Sequence, residues 1–329
     1  MKSKCGTMIR VWIFFGLVNL ALGSPVSHSQ RVEVGNAARI HSVPKFNPNN
    51  VFFYLWTRDN PSSYENIHPG HFGLNFDNGR KTKVIAHGWN QNGLDMFVIE
   101  MKDALLSQGD YNVISIDWGI DAASFDYFSS AYAVVDVGAY AASLVDSLVA
   151  NGANIKDFHV IGFSLGAHVA GAVGAAVSGS VSRISGLDPA LPSFSFTNTD
   201  RCLDPSDADF IDVIHTNSGP LFEGGLSFLD PIGHTDFFVN GGRVQPGCFD
   251  NVRSINDLIS GCSHARAHQY YVESIRSNAF RAKQCGSYDE YLAGVCNSNT
   301  EEYMGFVVST SARGNFYLQT NENSPYAKG

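Results

Sequence analysis

The sequence predicts an α/β fold, with a mostly parallel central sheet and helices on both of its faces. The main observation is an alternation of short apolar runs with helical stretches of about 10–20 residues, which is typical of parallel βαβ units. The composition agrees, because the 329 residues are 44% hydrophobic and 12% aromatic, which suits a globular core. No internal repeat or linker interrupts the alternation, so one domain is the economical interpretation.

The predicted elements begin at residue 51, after a polar arm over residues 24–50. The strands are expected in short apolar runs that are rich in β-branched or aromatic side chains. They span residues 51–57, 83–86, 112–117, 158–162, 181–187 and 210–215. The predicted helices span residues 94–107, 130–150, 164–177 and 263–277. Two more strands are predicted in the tail, over residues 305–310 and 315–320.

The beginning of the chain has the organisation of a secretory signal peptide. Lys2, Lys4 and Arg10 form a positive region, and an apolar run over residues 11–22 follows them. That run is shorter than the ~20 residues of a membrane-spanning helix, so a cleaved leader is favoured over an uncleaved anchor. No later stretch resembles a membrane span. We therefore predict a signal peptide over residues 1–23 and a secreted, extracellular protein.

The formal net charge of the chain is −9, and it is more negative without the leader, which carries basic residues and no acidic ones. An acidic protein has no general attraction to nucleic acids or to anionic membranes. We therefore expect no nucleic-acid partner, and we expect any contact with lipid to use apolar surface or a local patch.

The cysteines indicate disulfides, because a secretory leader implies an oxidising compartment. There are six, and the first lies within the leader. Proximity in the sequence suggests the pairs Cys248–Cys262 and Cys285–Cys296. Cys202 is then left over, either as a thiol or as a residue that pairs outside the chain.

The pentapeptide Gly162-Phe163-Ser164-Leu165-Gly166 is the main chemical motif. The pattern is weak alone, but here it follows a predicted strand and opens a predicted helix. That setting is the nucleophile elbow of the α/β-hydrolase fold, in which a sharp turn exposes the serine hydroxyl. We interpret Ser164 as the nucleophile. The alternative is a glycine-rich turn that only caps a helix.

A serine hydroxyl needs a general base, which in this fold follows the serine and the acid along the chain. The histidines after the serine are His168, His215, His234, His264 and His268. His264 is favoured because it follows Cys262, whose disulfide would fix its backbone. His168 lies one turn into the elbow helix and is interpreted as a packing residue. His215 and His234 are harder to exclude, because each ends an apolar segment.

Asp188 is the favoured orienting acid, because it follows a predicted strand, where sites assemble in parallel sheets. Its rivals are Asp204, Asp207, Asp209 and Asp212. The oxyanion hole needs two backbone N–H groups. One is expected from Leu165. The other is expected from Trp89, in the tripeptide His87-Gly88-Trp89 after an early strand, unless that tripeptide is an ordinary turn.

Together these motifs resemble the pancreatic lipase family, from about residue 50 to residue 320. They are His87-Gly88-Trp89, Gly162-Phe163-Ser164-Leu165-Gly166-Ala167-His168, Gly186-Leu187-Asp188-Pro189-Ala190 and Cys262-Ser263-His264. Three further stretches add to the similarity: Asp204-Pro205-Ser206-Asp207-Ala208, Val213-Ile214-His215-Thr216 and Asn240-Gly241-Gly242. Carried over residue by residue, the resemblance implies a catalytic triad of Ser164, Asp188 and His264. It implies an oxyanion hole formed by Trp89 and Leu165.

The resemblance also implies a lid over the active site, closed by Cys248 and Cys262. The enclosed loop holds 13 residues, fewer than in the triglyceride lipases, and this short lid resembles A1-type phospholipases and short secreted lipases of the family. Its apolar residues at helical spacing are Val252, Ile255, Leu258 and Ile259. The segment over residues 217–232, by contrast, resembles the longer loop of the triglyceride lipases. The two loops therefore favour different substrates.

A structural calcium site is implied as well, with carboxylates from Asp204 and Asp207 and carbonyls near Thr199 and Cys202. Such oxygen ligands suit calcium. The alternative is that the two aspartates only form a turn with Pro205. No other cofactor is required.

We therefore predict a secreted carboxylic ester hydrolase that cleaves acyl esters of glycerolipids, of the triacylglycerol lipase or phospholipase A1 type. Its single catalytic domain spans residues 24–329 and acts as a monomer at a lipid interface. The sequence ends where the family's C-terminal β-sandwich would begin, so no colipase-type partner is expected. One alternative is a lipase-fold protein that stores or binds lipid, although such relatives lack the nucleophile. The other is a carboxylesterase for small soluble esters.

Overall fold

The structure, a computed structural model, describes residues 46–124, 126–194, 201–219, 225–248 and 261–329. Its strands in chain order are β1 (Phe52–Trp56), β2 (Glu65–Ile67), β3 (Lys81–Ala86), β4 (Tyr111–Asp117), β5 (Phe158–Phe163), β6 (Arg183–Leu187), β7 (Ile211–His215), β8 (Thr235–Val239), β9 (Arg281–Gln284), β10 (Glu301–Tyr303) and β11 (Gly314–Leu318). They form one sheet in the order β10-β9-β11-β8-β7-β6-β5-β3-β4-β1-β2.

The centre of this sheet is parallel and its two edges are antiparallel. Every neighbouring pair from β11 through β8, β7, β6, β5 and β3 to β4 runs in the same direction. At the edges, β1 pairs antiparallel with β4 and β2, and β9 pairs antiparallel with β11 and β10. The predicted mostly parallel sheet is confirmed, and the carboxyl ends of its central strands share one edge.

Helices cover both faces of the sheet, as predicted. They are α1 (Met96–Gln108), α2 (Gly119–Ala122), α3 (Tyr127–Ala150), α4 (Leu165–Ala176), α5 (Cys262–Arg276) and α6 (Tyr288–Leu292). One apolar core contains α3 and α4, and a second contains α1 and α5. Successive side chains of a strand lie on opposite faces of the sheet, so Val84 belongs to the first core and Ile85 to the second.

The helix α3 is long and apolar enough to cross a membrane by length and composition, with a mean hydropathy of 1.5. By this criterion, α3 contradicts the expectation that no stretch after the leader resembles a membrane span. In the fold, α3 packs closely on α4. A methyl group on Gly138 would lie only 2.3 Å from the Cβ of Ala172. Because this face is buried in the first core, we interpret α3 as a core helix.

Some elements differ from the predictions. The predicted strand over residues 305–310 is wrong, because Gly305 has a φ of +94° and its carbonyl accepts the Val308 N–H at 3.2 Å, so the chain turns. The sequence also does not predict β2, β8, β9, β10, α2 or α6. Of these, β2, β9 and β10 are short and largely polar, so they lack an apolar pattern. Residues 24–45 of the predicted arm lie outside the described residues.

Candidate active site

The elbow motif lies at the carboxyl edge of the sheet, where β5 and β6 end side by side. The parallel register pairs Phe163 with Leu187, so Ser164 and Asp188 follow at equivalent positions on neighbouring strands. The Ser164 N–H donates to the Leu187 carbonyl at 3.0 Å. Strand pairing therefore holds together two residues that are distant in the sequence.

The turn at Ser164 is sharp and crowded. Ser164 has a φ of +57° and a ψ of −122°, which residues other than glycine rarely adopt. A methyl group on Gly162 would lie 2.0 Å from the Gly166 carbonyl oxygen, and one on Gly166 would lie 2.2 Å from the Ala86 carbonyl oxygen. Both flanking positions therefore require glycine, as the motif predicts.

Asp188 is completely buried, and its two carboxylate oxygens have separate partners. Oδ2 lies 2.6 Å from Nδ1 of His264. Oδ1 accepts hydrogen bonds from the Thr216 N–H at 2.7 Å, the Asn217 N–H at 3.0 Å and the Ser227 hydroxyl at 2.6 Å. These contacts fix the carboxylate, which in turn can fix the orientation and tautomer of the imidazole.

His264 is the third residue of α5, whose first residue, Cys262, forms a disulfide with Cys248. The buried ring packs on Phe163, with 4.6 Å between the ring centroids. The serine, the carboxylate and the imidazole are thus brought to one point of the sheet edge. No hydrogen bond from the Ser164 hydroxyl to the imidazole is present among the described residues. In unliganded hydrolases this contact often tightens only when substrate binds.

Two other histidines near this point are packing residues. His168 Nε2 lies 2.7 Å from the Ala190 carbonyl oxygen, and its ring stacks on Phe194 at 3.9 Å. Burial lowers the pKa of His168 to about 4. Burial, with the charge of His264, lowers the pKa of His268 to about 3. Neither imidazole contacts Asp188 in the described structure.

His215 and His234, which the sequence left open as bases, have other partners. His215 is buried, with Nε2 2.8 Å from Oδ1 of Asp236. His234 Nδ1 accepts the Ile211 N–H at 3.0 Å. Both rings are therefore used in the packing of the strand ends.

Two of the rival acids form ion pairs away from His264. Asp212 is buried and pairs with Arg183 at 2.7 Å. Asp209 is half-exposed and pairs with Lys156 at 2.6 Å. Among the described carboxylates, Asp188 alone forms an ion-pair contact with His264.

Trp89 and Leu165 lie on two segments that meet beside Ser164. A methyl group on Gly88 would lie 2.9 Å from the Ser164 Cβ, so the loop after β3 touches the elbow. Neither the Trp89 N–H nor the Leu165 N–H has an acceptor among the hydrogen bonds of the described residues. Both amides are therefore available to a substrate oxygen. The indole of Trp89 is buried and donates through Nε1 to the Ser124 carbonyl at 3.1 Å.

Comparison with known proteins agrees with this architecture. The model of the family described as Lipase matches residues 20–326. The chain belongs to the Lipase family. Membership and the parallel sheet with helices on both faces together identify an α/β-hydrolase fold. The resemblance found in the sequence motifs is confirmed.

Three relatives show how far this similarity to lipases extends. Pancreatic triacylglycerol lipase of Oryctolagus cuniculus is 37% identical over 303 residues, covering 85% of this chain and 65% of the relative. Inactive pancreatic lipase-related protein 1 of Mus musculus is 36% identical over 305 residues, covering 85% and 64%. Pancreatic lipase-related protein 2 of Rattus norvegicus is 38% identical over 267 residues, covering 76% and 57%. The chain thus spans less than two thirds of the length of these relatives.

Both predicted disulfides of this Lipase-family chain are present, Cys248–Cys262 and Cys285–Cys296. The first closes the segment that the sequence resemblance identifies as a lid. The apolar lid residues lie outside the described residues: Val252, Ile255, Leu258 and Ile259. Cys202 is buried, and its Sγ lies 3.5 Å from the Phe194 carbonyl oxygen.

Asp204 and Asp207, the carboxylates of the implied calcium site, form one tight turn. The Asp204 N–H donates to Asp207 Oδ2 at 3.0 Å, and the Ser206 hydroxyl donates to Asp204 Oδ1 at 2.6 Å. Burial, with the nearby charge of Asp204, raises the pKa of Asp207 to about 7. A buried carboxylate beside a like charge fits a bound cation. The turn alone also accounts for these contacts, and Thr199 lies outside the described residues, so calcium stays a prediction.

The residues that hold Asp188 are not predicted from the sequence. They are Thr216, Asn217 and Ser227, and two of them act through backbone N–H groups. The signal that could have indicated them is the stretch Val213-Ile214-His215-Thr216. It ends β7 beside the acid, where the Asp188 N–H donates to the Ile214 carbonyl at 2.8 Å.

Proposed function

We propose that this protein is a secreted carboxylic ester hydrolase that cleaves acyl esters of glycerolipids, with Ser164, Asp188 and His264 as the triad. The observation that carries the proposal is the buried 2.6 Å contact between Asp188 Oδ2 and His264 Nδ1, next to a serine held at a φ of +57°. Membership of the Lipase family supports the same class of reaction.

The proposed reaction has two steps. Ser164 Oγ attacks the ester carbonyl carbon, and His264 accepts its proton. The oxyanion is held by the N–H groups of Trp89 and Leu165. The ester C–O bond then breaks, and His264 returns the proton to the leaving alcohol. In the second step, water gives a proton to His264 and attacks the acyl-enzyme carbonyl carbon. The bond between that carbon and Ser164 Oγ then breaks, His264 returns the proton to Oγ, and the fatty acid is released. Asp188 stabilises the imidazolium throughout, and no organic cofactor is needed.

The proposed substrates are triacylglycerols or phospholipids at an interface. Relatives named triacylglycerol lipases support the first class. The short segment between Cys248 and Cys262 supports the second, because an incomplete lid leaves room for a polar head group. We propose a monomer without a nucleic-acid or colipase-type partner. Secretion is supported by the two disulfides, which persist in oxidising compartments.

The test is expression of the full chain in a secreting host, followed by assay of the purified protein. Fatty-acid release is measured on a triacylglycerol emulsion and on phosphatidylcholine vesicles. We expect activity on at least one of them, and a loss of at least about 1,000-fold in Ser164→Ala. Activity that survives in Ser164→Ala would contradict the mechanism. The ratio of the two rates assigns the substrate class.

A non-catalytic lipid-binding role is the second candidate function. It is favoured by the 36% identity to a relative whose name describes it as inactive. Lipid binding without release of fatty acid from either substrate would support that role. A carboxylesterase for small esters is distinguished by a rate that does not rise when the substrate aggregates.

A further inference from the structure

The loop after β3 contains His87, a histidine that the proposed reaction does not use. It is completely buried between the sheet and the segment that follows β4. We propose that His87 is a positioning residue, whose imidazole orients the Gly88–Trp89 peptide so that the Trp89 N–H points at the oxyanion. This inference rests on the proposed ester hydrolysis and extends it to a residue outside the triad.

The contacts of His87 determine which ring nitrogen carries the proton. The Trp118 N–H lies 3.1 Å from Nε2, and a backbone N–H can only donate, so Nε2 is the unprotonated acceptor. Nδ1 therefore carries the hydrogen and donates it to the Gly88 carbonyl at 2.9 Å. Asp117 Oδ1 also lies near Nε2, at 3.5 Å, which is farther than the Trp118 nitrogen.

The bond to the Gly88 carbonyl acts on the oxyanion donor through the peptide plane. The carbonyl of Gly88 and the N–H of Trp89 belong to one rigid trans peptide and point in opposite directions. An imidazole that fixes the carbonyl therefore fixes the direction of the N–H. It also polarises the peptide, and cooperative strengthening of about 10–30% has been estimated for linked hydrogen bonds.

Other contacts hold the rest of the loop. The Trp118 indole donates through Nε1 to the His87 carbonyl at 2.9 Å and stacks on the imidazole at 5.4 Å. The Gly88 N–H donates to the side chain of Gln91 at 2.8 Å, and the Asn90 N–H donates to a carbonyl at the end of α2 at 2.9 Å. Loss of the Nδ1 donor should therefore change the rotation of one peptide and leave the loop in place.

A matched pair of variants separates this role from a structural one. The amide nitrogen of His87→Asn takes the place of Nδ1 and can still donate to the Gly88 carbonyl. The amide oxygen of His87→Gln takes the place of Nε2 and can only keep the bond from the Trp118 N–H. Each variant loses one hydrogen bond of the ring, so a structural role predicts similar losses.

We expect His87→Gln to lower kcat on a soluble short-chain ester by about 10- to 100-fold with little change in KM, because an oxyanion donor acts in the transition state. Affinity for an alkyl boronic acid, which mimics the tetrahedral intermediate, should fall in parallel. His87→Asn should stay close to the wild type in both. Melting temperatures are recorded for each variant.

Equal kcat losses in the two variants, or losses that follow the melting temperature, would overturn the inference. Should His87→Gln not fold, nitrogen-15 NMR of the wild type decides, because a proton on Nε2 instead of Nδ1 overturns the inference as well.

Labelling of Ser164 by a fluorophosphonate separates this inference from the proposed ester hydrolysis. A wild type that is neither labelled nor active overturns both. A labelled, active wild type whose His87→Gln variant is equally fast overturns only this one.

Discussion

Among the described residues, a serine, a histidine and an aspartate come together at two places on the same sheet, and the two groups differ in the geometry that catalysis requires. The first group, the proposed triad of Ser164, Asp188 and His264, stands at the carboxyl edge of the strands. The second group, the mid-sheet cluster, consists of His159 on β5, Ser185 on β6 and Asp212 on β7. His159 Nε2 lies 2.9 Å from Ser185 Oγ, and that hydroxyl donates to Asp212 Oδ1 at 2.9 Å. By residue type and distance alone, the cluster also resembles a serine hydrolase site.

The order of contacts distinguishes the two groups. In the proposed triad, the imidazole contacts the carboxylate, and the Ser164 hydroxyl has no carboxylate acceptor among the described residues. In the mid-sheet cluster, the hydroxyl lies between the imidazole and Asp212, and Ser185 donates its hydrogen bond to the carboxylate. Burial, with the charges of Arg183 and Lys83, holds the pKa of His159 well below its usual range. The cluster therefore lacks a base placed to activate its serine.

The backbone differs as well. Ser185 pairs with Asp212 in a regular parallel ladder, whereas Ser164 has a positive φ just beyond the end of a strand. Free N–H groups are found at strand ends and helix starts, because a ladder uses the N–H groups within it. Position relative to the strand end, rather than residue type, thus decides which serine can meet an ester.

The largest difference in activity is expected between two single variants, Asp188→Asn in the proposed triad and Asp212→Asn in the mid-sheet cluster. The neutral amide of Asp188→Asn cannot stabilise the imidazolium or hold its tautomer, so kcat should fall by about 10,000-fold. Asp212→Asn should leave kcat per folded molecule almost unchanged. Both are measured on a soluble ester and normalised by the concentration of folded protein. A comparable loss in Asp212→Asn would mean that the mid-sheet cluster takes part in the chemistry.

The same Asp212→Asn variant is expected to lose more stability than a variant at an exposed ion pair. Arg183 donates to Asp212 at 2.7 and 3.0 Å, and without that carboxylate its buried guanidinium loses its counter-charge. The free energy of unfolding should fall by about 3–5 kcal/mol. The matched control is Asp209→Asn, which removes a half-exposed pair with Lys156 and should cost less than about 1 kcal/mol. Urea denaturation measures the free energy of unfolding of both variants. Equal losses would contradict the idea that the cost arises from the burial of the Arg183 charge.

The residues of the proposed triad could be singled out because each stands at a boundary that the sequence marks. Glycines flank Ser164, Pro189 follows Asp188, and a disulfide cysteine lies two residues before His264. Such residues have local backbone requirements, so they can be recognised without the tertiary structure. The parallel strands were predictable for a similar reason, since strands buried on both faces are continuous apolar runs.

The mid-sheet cluster could not be predicted, because its contacts depend on the order and register of three strands. The wrong prediction over residues 305–310 has a similar cause. Its valines favour a strand, but the carbonyls of Gly305 and Phe306 accept hydrogen bonds from Arg183 at 2.7 and 2.8 Å. A contact between distant parts of the chain thus overrides the local preference.

Lys83, which lies next to His159 of the mid-sheet cluster, offers the prediction with the smallest expected effect. It is a buried lysine on β3, with Nζ 3.4 Å from His159 Nδ1 and 5.0 Å from the centroid of the Tyr111 ring. Burial, with the charge of Arg183, lowers its pKa from 10.5 to about 7. Its ammonium has no carboxylate within salt-bridge distance among the described residues, whereas the imidazole of the triad has one.

Replacement of Lys83 should therefore stabilise the protein, by an amount that depends on pH. Between pH 7 and 10.5 the unfolded chain binds more protons than the folded one, so wild-type stability rises with pH. Below that window the folded protein bears the full cost of the buried ammonium. Lys83→Met should add about 1–2 kcal/mol near pH 6 and less near pH 9. Lys81→Met, an exposed site on the same strand, is the control. A gain independent of pH would assign the effect to apolar packing instead of charge.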